Sequence, residues 1–398
     1  MTKIINICIF LLICLIYGCE ERKYANVIIE INPFEIEEEI NLSEIVDSIK
    51  YIKLQTDSNC VMGRIHDIVI SEKYIYALDI SQQIIFVFDK KGKFISKLDK
   101  RGKGPDEYLN LGPMFVDKNE KYIEFISFSG KNSKIFKYSN ISFNLLDNKR
   151  PMPRISANSC REEDELYYFS TQQIENVVNG KPTNASILIV KNGNIEKVLF
   201  DKDIITQHSS FSPNVECFTK NENNQLFVSL MYDNTFYQLK NMDAYPTFSV
   251  DFGKYGIDNS IGFKPIKEQQ RYLESANGAS FPVLNINNSN IMAFSYYFKN
   301  NMKKTDLHQY IRLKNRNKTF HTKRIKNNIT SFPNEVYLST YFCGISHEVW
   351  YKNFLVDIVL PSNYFSNGET KTTVEGLGDI TIEDNPIIVM MKLKEELK

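Results

Sequence analysis

Short apolar runs separated by polar turns form the main pattern of this chain. Between Arg64 and Tyr108, four such runs follow one another, each rich in Ile, Val, Phe or Tyr. This length, composition and spacing predict four β-strands in an antiparallel meander. Gly92, in the turn before the fourth run, can supply the positive φ of a tight hairpin. The four predicted strands are Ile65–Ile70, Tyr74–Asp79, Ile84–Phe88 and Phe94–Leu98.

The third strand of this unit recurs along the chain, first at intervals of about 50 residues and then at about 75. Preceding strands recur with it, and most copies are followed by a polar turn. A four-stranded sheet cannot bury both faces alone, so the copies must stack on one another. We therefore predict an all-β fold, a six-bladed β-propeller with four antiparallel strands per blade; a β-sandwich is the alternative. The copies are Lys134–Tyr138, Ser186–Val190, Thr235–Leu239, Gln309–Leu313 and Ile387–Met391.

In this interpretation, both ends of the chain contribute strands to the same blade. The last unit offers Val336–Cys343, Glu348–Val359 and Ile387–Leu393, and it lacks a fourth strand. We predict that Ser48–Gln55 pairs with Ile387–Leu393 and closes the ring, because a closed ring leaves no unpaired sheet edge between its ends. The propeller domain is then residues 41–398.

Two insertions interrupt the repeat. Residues 253–279 contain Lys264–Glu274, which favours a short helix with Pro265 in its first turn. Residues 361–385 are polar and predict a long loop. Long loops on a rigid scaffold often carry function, so both segments are candidates for binding.

The N-terminus predicts export. Residues 1–18 combine a basic residue with an apolar run too short to span a membrane, which is typical of a signal peptide. Gly18 before Cys19 resembles the lipobox of bacterial lipoproteins, which implies cleavage before Cys19 and acylation of its thiol. Residues 19–40 would then be a lipidated tether and leader, and the outer membrane, on its periplasmic or surface side, would be the location. A plain secretory signal is the alternative.

Glycine, proline and acidic residues after the first unit carry a family resemblance. Ile75–Asp79, Ile84–Asp89 and Gly102–Tyr108 are similar to an NHL-type propeller repeat. The whole chain resembles the six-bladed β-propeller lipoproteins of Bacteroidetes. In that family a third glycine usually stands where Asp106 stands here. The resemblance implies the propeller fold and transfers no activity.

Charge and motifs exclude several functions. Lys and Arg number 48 and Asp and Glu number 48, so no long-range electrostatic field favours binding of nucleic acid. We also expect the protein to be a monomer. The five histidines have no metal-binding spacing, and Cys-x-x-Cys, nucleophile-elbow and phosphate-loop motifs are absent. We therefore assign no catalytic residue, metal ligand or cofactor, although Ca²⁺ or another divalent cation could be held by carboxylates from different blades. Cys160 and Cys217 could form a disulfide, with buried thiols as the alternative.

Two sets of residues are candidates for ligand contact. Charged and aromatic side chains of the glycine-rich loop and of the first insertion can bind planar or polar groups: Arg101, Lys103, Glu107, Tyr108, Arg271 and Tyr272. His66 and Asp67, on a first strand, are candidates to line the central channel. In the alternative interpretation, which we favour for this loop, it only connects blades, with Glu107 binding backbone amides and Tyr108 packed between sheets.

Three functions remain open. We favour a lipid-anchored module that binds a glycan, a peptide or an envelope protein. A metal-dependent hydrolase, lactonase or lyase acting on a glycan or small molecule is the alternative, and a structural subunit of an envelope complex is the third.

Overall fold

Six antiparallel sheets form the blades of a six-bladed β-propeller. The computed structural model describes residues 27–201, 217–300, 304–330, 332–338, 344–365 and 369–394. Within these ranges no helix is both long and apolar enough to cross a membrane. The predicted signal peptide, Cys19 and Cys343 lie outside the described residues.

Three strands precede the first blade in the chain. They are β1 (Val27–Glu30), β2 (Glu37–Asn41) and β3 (Val46–Lys53).

Blades 1 to 3 follow in chain order, from the innermost strand to the outermost. Blade 1 consists of β4 (Ile65–Ile70), β5 (Tyr74–Asp79), β6 (Ile84–Asp89) and β7 (Phe94–Leu98). Blade 2 consists of β8 (Met114–Val116), β9 (Tyr122–Ser127), β10 (Lys134–Ser139) and β11 (Leu145–Asp147). Blade 3 consists of β12 (Ser159–Glu163), β13 (Leu166–Ser170), β16 (Ile187–Lys191) and β17 (Asn194–Leu199), with the hairpin β14 (Asn176–Val178) and β15 (Lys181–Thr183) between its second and third strands.

Blades 4 to 6 complete the ring. Blade 4 consists of β18 (Phe218–Lys220), β19 (Leu226–Ser229), β20 (Thr235–Lys240) and β21 (Asp243–Asp251). Blade 5 consists of β22 (Gly278–Asn287), β23 (Ile291–Asn300), β24 (Lys304–Leu313) and β25 (Lys318–Lys326), and β26 (Glu335–Val336) pairs with the end of β25. The strand β27 (Ser346–His347) precedes blade 6, which consists of β28 (Trp350–Tyr351), β29 (Phe354–Val359), β32 (Ile387–Leu393) and β3.

The helical elements are short and lie in connections. Within the described ranges, the α-helices are α1 (Ile266–Ser275) and α2 (Pro361–Tyr364), and 3-10 turns occupy Leu42–Glu44, Gly130–Asn132, Gly253–Tyr255 and Asn259–Phe263. The helix predicted in the first insertion is therefore confirmed as α1. The segment predicted to be a long loop, 361–385, carries secondary structure of its own, namely α2 and the hairpin of β30 (Lys371–Val374) and β31 (Gly378–Thr381).

The predicted closure of the ring is confirmed. Strand β3 pairs antiparallel with β32, so that Ile49 lies opposite Met391 and Lys53 lies opposite Ile387. The sheet of blade 6 therefore contains strands from both ends of the chain. The predicted place of Val336 in the last blade is wrong, because Val336 pairs with Ile325 of β25 and belongs to blade 5; residues 339–343 of that predicted strand lie outside the described residues.

The segment before the closing strand is also part of the sheets. Strand β1 pairs in parallel with β21 of blade 4, and β2 pairs in parallel with β25 of blade 5. The leader predicted for residues 19–40 is therefore too long, since the propeller sheets begin at residue 27. The strand is not recognisable from sequence because the acidic run of β2, Glu37–Asn41, exposes three glutamates, two of which, Glu38 and Glu39, form surface ion pairs with basic residues of β25.

Hydrophobic side chains fill the space between neighbouring blades. Between blades 1 and 2, for example, Tyr76 and Leu78 pack with Phe125, Phe136 and Tyr138 in one buried cluster. The rings of Phe125 and Phe136 are stacked, with centroids 5.4 Å apart. Such sheet-on-sheet packing commits the strands to the core and leaves variable chemistry to the connections.

Candidate functional site

One face of the ring carries two kinds of connection, and we call it the connection face. They join the outermost strand of each blade to the innermost strand of the next, and the second strand of each blade to the third. Both kinds reach the same face because consecutive strands of each blade are antiparallel. The insertions at 253–279 and 361–385 and the β14–β15 hairpin all lie in such connections. The extra material of this chain is therefore concentrated on one face.

The two segments predicted to bind ligand share this face without meeting. Residues 99–113 connect blades 1 and 2, whereas residues 252–277 connect blades 4 and 5. In a ring of six blades these connections are three blades apart, on opposite sides of the axis. Arg101 and Tyr108 therefore do not form one site with Arg271 and Tyr272.

Tyr108 belongs to the core. Its side chain is 0% exposed, and its ring packs edge-on against Phe125 with centroids 5.1 Å apart. The hydroxyl lies 2.7 Å from the carbonyl oxygen of Gln83 and 3.2 Å from that of Leu98. Burial raises the pKa of the Tyr108 hydroxyl, which therefore stays protonated and donates at neutral pH. The prediction that Tyr108 contacts a ligand is corrected, because its ring packs in the core and its hydroxyl is hydrogen-bonded within the protein.

Glu107 stabilises the turn of the same loop. Its carboxylate oxygen Oε2 accepts a hydrogen bond of 2.7 Å from the backbone nitrogen of Gly104. A β-carbon at Gly102 would overlap this carboxylate, and neither glycine has a positive φ. The two glycines thus provide space for Glu107 rather than an unusual backbone conformation. Both features of the connector interpretation, Glu107 on a backbone amide and Tyr108 between sheets, are present.

The remaining candidates of the two segments differ in exposure. Arg101, Lys103 and Arg271 are exposed, so their ligand contacts stay predictions. The hydroxyl of Tyr272 accepts a hydrogen bond of 2.9 Å from the backbone nitrogen of Asp258, which fixes α1 to the start of its insertion. Asp106, in place of the glycine of the resembling family, has no positive φ, and its hydrogen bond with Lys100 lowers the pKa of its carboxyl.

A chain segment occupies the axis where an open channel was expected. Strand β27 pairs in parallel with β4, with Ser346 opposite Asp67. From blade 3, Arg161 Nη2 donates to Ser346 Oγ at 3.2 Å. The segment therefore lies between the innermost strands of two different blades. Asp67 is 8% exposed beside it and does not line a solvated channel, whereas the neighbouring His66 is exposed.

His66 borders a cavity of about 590 Å³ on the connection face, between blades 1, 2 and 3. Its volume falls within the range of about 300–1,000 Å³ that is usual for small-molecule sites. The polar lining comprises His66, Gln83, Ser156, Asn158 and Ser159. The apolar lining includes Leu78, Leu111, Pro113, Phe128, Ile155 and Phe169.

Two asparagines fix opposite walls of the cavity by the same arrangement. Asn110 accepts a hydrogen bond from the backbone nitrogen of Phe128 at 2.8 Å and donates to its carbonyl oxygen at 2.7 Å. Asn176 accepts from the backbone nitrogen of Ser156 at 2.8 Å and donates to its carbonyl oxygen at 2.9 Å. Each amide side chain thus satisfies both backbone groups of one lining residue.

Gln83 fixes the third wall and links it to the predicted loop. Its Oε1 accepts from the backbone nitrogen of Leu111 at 2.6 Å, and its Nε2 donates to the carbonyl oxygen of Ile80 at 2.5 Å. The backbone carbonyl of Gln83 in turn accepts the hydroxyl of Tyr108. Tyr108 is therefore a positioning residue for the cavity wall and not part of its surface.

Sequence reasoning missed this cavity because its walls come from three blades that are distant in the chain. Asn110, Asn176 and Gln83 are single amides among apolar residues, and no recurring motif marks them. A partial signal existed, since amide side chains next to turns often bond to nearby backbone groups. The φ of 61° at Gln83 is a conformation that the sequence does not reveal.

Groups for metal or redox chemistry are sparse in the part of the chain that is described. No group of three or more His, Cys, Asp and Glu residues there is placed to hold a metal ion. Cys160 and Cys217 are both buried thiols rather than a disulfide, which agrees with the alternative stated for them.

Comparison with known proteins defines the family. Residues 26–392 match the model of a family described as a domain of unknown function, DUF4934. The chain belongs to the DUF4934 family. No protein with a curated description matches this DUF4934 chain.

Solved structures agree with the propeller fold. A Bacteroides fragilis protein described as exported, BF0058, is 17% identical, with a TM-score of 0.64 over 93% of this chain and 100% of its own. A Bacteroides vulgatus member of the DUF4221 family is 10% identical, with a TM-score of 0.50 over 88% of this chain and 97% of its own. Virginiamycin B lyase of Staphylococcus aureus, at 8% identity over 87% of this chain and 99% of its own, has a TM-score of 0.38, too low to support any functional argument.

Proposed function

We propose that this DUF4934 protein is an exported, lipid-anchored binding module of the bacterial cell envelope that recognises a ligand or partner through its connection face. The observation that carries the proposal is the cavity of about 590 Å³ on the face that also bears the insertions. Function in rigid scaffolds is usually placed in such connections and concave sites. The signal-peptide pattern, Cys19 and the likeness to an exported Bacteroides protein support export.

Exposed apolar side chains support the choice of face. Leu109, Val177 and Phe263 lie in three different connections of this face and are 46%, 59% and 52% exposed. Apolar groups that are exposed on one face are available for contact with a ligand or partner. A glycan, a peptide or an envelope protein remains the expected class of partner.

Site-specific photo-crosslinking in the native bacterium tests the proposal. Benzoylphenylalanine is introduced singly at Leu109, Val177 or Phe263, and the crosslinked species are compared after irradiation of intact cells. Matched controls carry the same group on outermost strands, at Ile95 and Leu146, which are 38% and 55% exposed. We expect a discrete adduct from the connection face and none from the control positions. Adducts of equal yield from both sets would overturn the proposal.

A further inference from the structure

The wall of the cavity between blades 1, 2 and 3 is mostly hydrocarbon. Leu78, Leu111, Phe128, Ile155 and Phe169 all line it. Apolar ligand surface buried against such a wall gains about 25 cal/mol per Å². A ligand therefore gains most from placing rings or branched aliphatic groups here.

The lining, within the described ranges, has no acidic or strongly basic side chain that could form an ion pair with a charged ligand. Among the described residues, it contains no Asp, Glu, Lys or Arg, and its remaining ionisable groups are the ring of His66 and the thiol of Cys160. A carboxylate or an ammonium group that enters such a site loses hydration, which costs several kcal/mol unless an ion pair replaces it. The chemistry of the wall therefore selects uncharged groups.

Polar groups that can contact a ligand lie along one side. His66 is at the start of β4, Ser159 is at the start of β12, and Ser156 and Asn158 precede β12. The amide of Gln83 also borders the cavity and is bonded to Leu111 and Ile80. Apart from Gln83, the polar side chains of the lining thus lie at or next to the starts of these two strands.

We infer that this cavity binds an uncharged ligand whose ring or branched-chain part fills the apolar wall and whose hydrogen-bonding end meets His66 and the residues before β12. The inference rests on the proposed function, because it names the ligand class for the same face. The hydrogen bonds of Asn110 and Asn176 to backbone groups hold the two walls in place. A preformed cavity loses little free energy to rearrangement on binding.

Two dyes with the same aromatic frame test this inference on the purified chain. N-phenyl-1-naphthylamine is neutral, whereas 8-anilinonaphthalene-1-sulfonate adds a sulfonate to the same ring system. Fluorescence titration at pH 8 should give saturable binding of the neutral dye, with the anionic dye weaker by at least about tenfold, because the lining pairs no anion. Equal or tighter binding of the anionic dye contradicts the inference.

Cavity-filling variants locate the binding. Ala157→Trp places an indole in the cavity, and Ser156→Trp does so from an exposed position whose backbone is held by Asn176. Either variant that keeps wild-type melting should lose at least about tenfold in affinity for the neutral dye, because its binding volume is occupied. Leu146→Trp, on β11 away from the cavity, is the matched control and should bind normally.

The two proposals fail separately. Unchanged dye affinity in both filling variants overturns the cavity inference, and the crosslinking result then still decides whether the connection face binds a partner. Dye binding that is lost in the filling variants, together with equal crosslinks from face and control positions, supports the cavity and contradicts partner recognition by this face.

Discussion

Ile49 lies directly opposite Met391 in the sheet of blade 6, so the two ends of the chain meet in one pair of strands. Deleting residues 20–56 would remove β1, β2 and β3 and leave the outer edges of β21, β25 and β32 unpaired. We expect this truncated chain to lose cooperative unfolding or to melt at least about 10 °C below the chain that begins at residue 20, since strand pairing and core packing are lost together.

Deleting only residues 20–38 provides the graded comparison. From the sequence alone, this change should do little. The structure predicts an intermediate loss of several kcal/mol in the free energy of unfolding, because β1, part of β2 and the buried Ile31 are removed. Identical melting of all three chains would contradict the closure model.

Tyr108 provides a test of the connector. Tyr108→Phe keeps the ring but removes the hydroxyl that contacts Gln83 and Leu98, so unfolding should become easier by about 1–2 kcal/mol. Tyr108→Ala also leaves a cavity between blades and should cost about 3–5 kcal/mol. The exposed Arg101→Ala is the control, expected within about 0.5 kcal/mol of wild type by urea unfolding. A Tyr108→Ala chain as stable as this control would place Tyr108 outside the core.

Two histidines of blade 5, the buried His308 and the half-buried His321, predict a loss of stability in acid. Burial lowers the pKa of His308 to about 3 and also lowers the pKa of His321. Tyr296 connects them, with its hydroxyl 3.1 Å from His308 Nδ1 and 2.7 Å from His321 Nε2. His321 Nδ1 also lies 2.8 Å from the carbonyl oxygen of Glu35, in the leader.

The sign of the pH effect follows from these lowered pKa values. Below the ordinary histidine pKa of about 6.5, the unfolded chain binds protons that the folded chain does not. The histidine contribution is therefore complete above about pH 6.5 and declines as pH falls towards 3, by up to about 1.4 kcal/mol per pH unit for each histidine. We expect His308→Asn to reduce this slope between pH 7 and 5 in urea unfolding. An unchanged slope in this variant would show that His308 is not buried as a neutral ring.

The lipid anchor stays a prediction that labelling can check. Cys19→Ala should abolish incorporation of a fatty-acid label and release the exported protein from the membrane fraction, because the acylated thiol would be missing. The unaltered chain labelled in parallel is the control. Membrane retention equal to that control, without label in either chain, would refute lipidation.

Sequence periodicity predicted the fold better than the site for a physical reason. Strands such as Tyr74–Asp79 bury nearly every residue against neighbouring blades. Such strands can therefore be recognised in the sequence from their apolar composition and regular spacing. The cavity instead depends on contacts between residues separated in the chain, such as Asn110 with Phe128 and Asn176 with Ser156, and on the positive φ of Gln83. The Gly102–Tyr108 loop stands out in the sequence, but Tyr108 positions Gln83 and Glu107 holds the turn, while ligand contacts of the exposed Arg101 and Lys103 stay predictions.

The route of the leader has a mechanical consequence for a protein held by its N-terminus. A pull on the chain reaches β1 first, which four residue pairs join to blade 4, and then β2, which four more join to blade 5. Only after both strands have detached does tension reach β3, the strand that closes the ring. Because forced unfolding depends on the rate at which the loaded strands separate, these two outer strands absorb load before the propeller can open.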